Sequence, residues 1–150
     1  GLNGARLRAR PDAVYELAKR LLAEGVPIHG VGLQMHITAQ GGVEPKYVAA
    51  NMARLAALGL SVNISEMDVR TRNIRGTPEE QMALQGRVYR DMVAVCVAEP
   101  RCHGVTFWGF TDAHSWVDGF FGADDPLLFD EQYRRKPAFY GVREAFAAQR

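Results

Sequence analysis

Apolar residues recur along the chain in two kinds of block, one spaced like a helical turn and one alternating every second residue. Over residues 11–24, Val14, Leu17, Ala18, Leu21 and Leu22 share one helical face. Pro11 stands at the start and Gly25 just past the end, which predicts a helix. Residues 28–37 alternate like a strand. A second helix is predicted over residues 44–58, with Val48, Met52, Leu55 and Ala56 apolar and Gly59 as the stop, and a second strand over 60–69. Thr77 can cap a third helix, with Pro78 at its first position, running to about residue 98. A third strand over 103–110 and a last helix over 137–148 complete the pattern.

Strands alternating with helices imply βαβ units and a parallel sheet with right-handed crossovers. No internal repeat, low-complexity tract or Gly/Ser linker divides the chain, so residues 1–150 read as one continuous unit. Three strands are few for a doubly wound sheet and far short of a closed barrel of eight. The chain opens Gly1-Leu2-Asn3-Gly4 without an initiator methionine, and it reads as a piece of something larger.

The period of two also sorts the side chains by face. In the first strand Val31, Leu33, Met35 and Ile37 form an apolar side, and Gly30, Gly32, Gln34 and His36 the other. In the second, Ile64, Glu66 and Asp68 are expected together, opposite Asn63, Ser65 and Met67. In the third, Thr106 and Trp108 face inward if Val105 and Phe107 lie against helices. Polar and indole groups thus gather at the C-terminal ends of the strands, where α/β barrels place their active sites. Each residue has a plainer reading when taken alone. His36 then reads as a hydrogen-bonded core histidine, Glu66 as an ion-pair partner, and Trp108 and Trp116 as core or interface residues. Their convergence on one end of one sheet favours chemistry. Glu66 and Asp68 on one face repel each other, and Gln34 and His36 are placed to compensate them.

Composition narrows the partners. With 18 basic and 17 acidic side chains the net charge is +1, and no basic stripe alternates with aromatics, so no nucleic-acid partner is expected. No apolar run approaches the roughly 20 residues that span a bilayer, so no membrane is expected either. Two cysteines, Cys96 and Cys102, are too few for a structural zinc site, and no metal or other cofactor is predicted. Their spacing around a Pro-containing turn suits a short disulfide and equally two buried thiols.

The segment Gly59-Leu60-Ser61-Val62-Asn63-Ile64-Ser65-Glu66-Met67-Asp68-Val69 resembles the active-site signature of glycoside hydrolase family 10, the retaining β-1,4-xylanases. Gly30-Val31-Gly32-Leu33-Gln34-Met35-His36 is similar to the family's sixth strand. The run from Val105 to Trp116 is similar to its eighth strand and following loop. Leu127-Leu128-Phe129-Asp130 with Lys136-Pro137-Ala138-Phe139-Tyr140 resembles its closing segment. Met67 departs from the family's usual Leu, Ile or Tyr, at a position facing away from the barrel interior. The resemblance covers nearly the whole chain. It implies an α/β fold that is a partial (β/α)8 TIM barrel, strands six to eight with their helices.

The same resemblance implies a secreted endo-1,4-β-xylanase acting on xylan or xylo-oligosaccharides. Glu66 is its expected nucleophile, with His36 and Asp68 beside it in the catalytic set. Gln34, Trp108 and Trp116 are expected to bind substrate, and Cys96 and Cys102 to form a disulfide. The family's acid/base glutamate on strand four has no match here. A missing N-terminal half-barrel would therefore be the partner that supplies it, and this fragment alone would be inactive. If the second carboxyl group came from this chain instead, Asp112, Asp118 and Asp124 would be the candidates. A non-catalytic carbohydrate-binding or degenerate barrel fragment is the alternative, with a purely structural half-barrel a third reading.

Overall fold

The computed structural model describes the backbone of residues 2–148 and the side chains of residues 10–148. Three parallel strands, β1 (Gly30–Thr38), β2 (Ser61–Arg70) and β3 (Cys102–Phe107), lie in the order β1-β2-β3. Helices α2 (Pro45–Ala57) and α3 (Pro78–Ala98) make the crossovers, α1 (Leu2–Ala23) precedes the sheet and α5 (Pro137–Ala147) ends the chain. Local chemistry explains the boundaries. Thr77 Oγ1 accepts from Glu80 N while the Glu80 carboxylate accepts from Thr77 N, a reciprocal cap at the start of α3. Gly59, at φ +86°, turns the chain out of α2 into β2.

Several expected boundaries move. Pro11 does not open α1 but lies within it, because the helix already begins at Leu2. A proline inside a helix removes one backbone hydrogen bond, which α1 tolerates here. β3 stops at Phe107 rather than at residue 110, since Gly109 takes φ +115°. Trp108 still extends the ladder by donating its N–H to Met67 O at 3.0 Å. A 3-10 turn (Asp112–His114) and a short helix, α4 (Trp116–Phe121), follow β3 where the hydrophobic pattern shows nothing. Elements of three and six residues are too short to display a helical period.

The core lies between the sheet and the helices. Met52 and Leu55 from α2, Val62, Ile64, Met67 and Val69 from β2, and Tyr89, Met92 and Val93 from α3 are all buried in it. α3 and α5 cross so closely that a side chain on Gly141 would strike the backbone oxygen of Gly86. One feature of β2 corrects the expected sorting of faces. The register runs Leu33↔Ile64 and then Gln34↔Glu66, so Ser65 is an extra residue, a β-bulge. Ile64 and Met67 consequently both enter the helix-side core, and Ile64 does not share a face with Glu66 as simple alternation predicts. A β-carbon on Gly32 would meet Ser65 and Asn63, which places those two on the inner face with the glycine. Ser65 and Glu66 are thus successive residues on that face.

Candidate functional site

The bulge delivers the Glu66 carboxylate to the C-terminal end of the sheet beside β1. Gln34 Nε2 donates to Glu66 Oε1 at 3.0 Å, and His36 Nε2 lies 2.9 Å from Glu66 Oε2. The other ring nitrogen, Nδ1, lies 2.7 Å from Asp68 Oδ2. A neutral imidazole has one N–H and can donate to only one of two carboxylates; donation to both takes a proton on each nitrogen. Asp68 is fully buried, whereas Glu66 and His36 keep part of their surface open. An oriented carboxylate with an open approach can attack an electrophilic carbon or take a proton.

Trp116 completes this cluster from the loop after β3. Its indole N–H donates to Asp68 Oδ2 at 2.7 Å, and its ring meets the His36 ring edge-on at 4.9 Å. The structure therefore brings Gln34, His36, Glu66, Asp68 and Trp116 into one hydrogen-bonded group. Trp108 stands apart from these hydrogen bonds, about half exposed just past β3, where Val105 and Phe107 pack against the core and Thr106 is exposed.

Buried and half-buried polar groups hold the loop, among them Asp112 and Asp124, two of the three aspartates named above as alternative acids. Asp112 and Lys136, at 3% and 7% exposure, pair at 2.6 Å. Lys136 Nζ also donates to Asp125 O, and Leu127 N donates to Asp112 Oδ1. Burial pushes the Asp112 carboxyl up to about 6, against the opposing pull of Lys136 and the Leu127 N–H. From α3, Gln85 donates to Val69 O and Asp125 O, and Tyr89 donates to Pro126 O at 2.7 Å. Burial also raises the Tyr89 phenol well above its ordinary range. Asp124 Oδ1 accepts from Thr71 N, Thr71 Oγ1 and Arg72 N, tying the loop to the end of β2. Asp112 and Asp124 are thereby committed to structure, which leaves only Asp118 exposed among the three candidate aspartates. A lone Lys before a Pro-led helix and an Asp in a turn give no sequence sign that they pair.

A disulfide joins Cys96, at the end of α3, to Cys102, at the start of β3, with Cα atoms 5.3 Å apart. A cavity of about 770 Å³ does not sit over Glu66. It is a groove along the outer edge of β1, lined by α1, α2 and residues 31–37. No helix among the described residues is long and apolar enough to cross a membrane.

The sequence profile described as glycosyl hydrolase family 10 matches residues 3–145. The chain is 40% identical over 143 residues to endo-1,4-beta-xylanase B of Thermotoga neapolitana, covering 95% of this chain and 41% of that protein. Native xylanase 10B from Thermotoga maritima superposes with a TM-score of 0.84 at 39% identity, over 91% of this chain and 42% of that one. A mutant of xylanase 10C from Cellvibrio japonicus, in complex with xylopentaose, gives 0.86 at 29% identity, over 93% and 31%. The chain spans less than half the length of each of these relatives. With the profile matched across almost all of its residues, the chain belongs to glycosyl hydrolase family 10.

Proposed function

We propose that residues 1–150 form the C-terminal part of a single (β/α)8 catalytic barrel, strands six to eight, and supply the nucleophile of a retaining endo-1,4-β-xylanase. The observation that carries this reading is the grip on Glu66, whose two oxygens are held by Gln34 and His36 while its approach stays open. Mere sugar binding would not require a carboxylate fixed in this way, which disfavours a non-catalytic fragment.

In a retaining mechanism two carboxyl groups stand about 5–5.5 Å apart across the scissile bond. Glu66 attacks the anomeric carbon, and the bond to the leaving oxygen breaks as that oxygen takes a proton from the second carboxyl group. The same group then accepts a proton from water, which attacks the glycosyl-enzyme and frees Glu66. His36 and Gln34 keep the attacking oxygens oriented. Trp116 and Trp108 offer flat faces to the pyranose ring. The second carboxyl group comes from an N-terminal half-barrel, which is the partner this chain requires. Xylan is a substrate met outside the cell, and the Cys96–Cys102 disulfide suits that oxidising compartment.

The direct test is a 2-fluoro xylobioside with a good leaving group, applied to the assembled barrel. Peptide mapping should find the sugar on Glu66, and Glu66→Gln should lose hydrolysis while still binding xylo-oligosaccharide. Label on another residue, or near-normal turnover by Glu66→Gln, sinks the assignment.

A further inference from the structure

We propose that Phe120 is a further sugar-binding residue, whose ring receives the xylosyl unit next along the chain from the one against Trp116. It would make the enzyme favour long xylo-oligosaccharides. The inference rests on the xylanase reading above and adds chain-length selection to it.

Among the large hydrophobic side chains of the described residues, Phe120 is the barest, at 78% exposed. Its backbone is nevertheless firmly held. Ser115 Oγ accepts from Val117 N to cap α4, and Gly122, at φ +83°, ends the helix. The Arg72 guanidinium donates to Phe121 O, and the Arg70 guanidinium stacks over the Phe121 ring at 4.1 Å. Phe121 is thus used within the fold, while its neighbour Phe120 is presented outward on the same pinned turn.

The direction of presentation identifies the occupant. The Phe120 ring touches the Trp116 ring at 5.2 Å, and Trp116 in turn touches His36, which holds Glu66. Phe120 therefore extends the aromatic wall that begins at the candidate nucleophile. β-Xylopyranose carries its hydroxyls equatorially and lacks a hydroxymethyl group, so both ring faces present C–H bonds to an aromatic surface. A solvent-facing phenyl on a pinned turn, in contact with Trp116, matches the next such ring.

The test uses the complete enzyme, this chain joined to an N-terminal half-barrel. The readout is the ratio of kcat/KM for xylohexaose to kcat/KM for an aryl β-xyloside, whose single xylosyl unit occupies only the reacting subsite. Phe120→Ala and Phe120→Leu should lower this ratio by about 5- to 10-fold, and Phe120→Trp should restore it. An unchanged ratio overturns the proposal. So does an equal loss on both substrates, the result expected if the other half of the barrel covers Phe120. A second arm needs no turnover: in the Glu66→Gln background, calorimetry should show the affinity for xylohexaose falling by the same factor on Phe120→Ala. If the parent enzyme hydrolyses neither substrate, the xylanase reading fails. Equal affinity of parent and Phe120→Ala for xylohexaose then overturns the present inference by itself.

Discussion

Trp116 has two separable roles in the proposed site: its ring is assigned to the sugar, and its N–H bonds to Asp68, which bonds to His36, which bonds to Glu66. Trp116→Phe keeps an aromatic face and deletes the N–H. A hydrogen bond to a charged group contributes about 1.5–3 kcal/mol, so kcat should fall roughly 10- to 100-fold. The Michaelis constant should change much less. Steady-state kinetics on xylohexaose decides it; a rise in the Michaelis constant at unchanged kcat would show that only the stacking face matters. Gln34, His36, Glu66 and Asp68 were legible in the sequence because period-two spacing puts polar groups on one face of a strand. The Trp116–Asp68 bond was not, since 48 residues separate the partners and an irregular loop folds one onto the other.

At the level of elements, regular periods, capping residues and terminal glycines locate α2, α3, α5 and the three strands to within a few residues. The bulge at Ser65 escaped because one inserted residue leaves no mark on composition; it shows only when β2 is laid against β1. The Asp112–Lys136 pair, which joins the loop to the start of α5, escaped for the same long-range reason. Lys136→Met leaves the Asp112 carboxylate buried without its cation, and the assembled barrel should lose about 3–5 kcal/mol by denaturant midpoint. The parent pair has a pH signature of its own. Asp112 is raised from an ordinary value of 3.8 to about 6, chiefly by burial. Between those values the native form keeps a proton that the unfolded chain releases. The stability from this group is therefore full below about pH 4 and lost as pH rises through about 6. Stability of the parent minus that of Asp112→Asn, measured across this window, should slope downward; a flat or rising difference refutes the assignment. The clasp between α3 and β3 makes another expectation at this scale. Cys96 and Cys102 in the unfolded native protein should resist thiol labelling until reductant is added, and full labelling beforehand would exclude the disulfide.

For the whole molecule, the sheet has β1 at one edge and β3 at the other, and the groove beside β1 is lined by Val14, Val31, Leu33 and Val48. Open edges with apolar surface alongside favour association. The 150-residue chain on its own is expected to self-associate in sedimentation and to leave xylan intact, whereas adding an N-terminal half bearing the acid/base glutamate should restore turnover. A monomer that hydrolyses xylan unaided would show that the second carboxyl group lies within this chain, with Asp118, the exposed one of the three candidate aspartates, to examine. The hydrogen bonds around Glu66 also bear on inheritance. Gln34, His36, Asp68 and Trp116 all follow Gly30. A recombination point between two related genes placed ahead of β1 transmits Glu66 together with these neighbours, whatever barrel precedes them. A point placed between β1 and β2 parts Glu66 from Gln34 and His36, so chimeras crossed there must find a matching pair in the other parent.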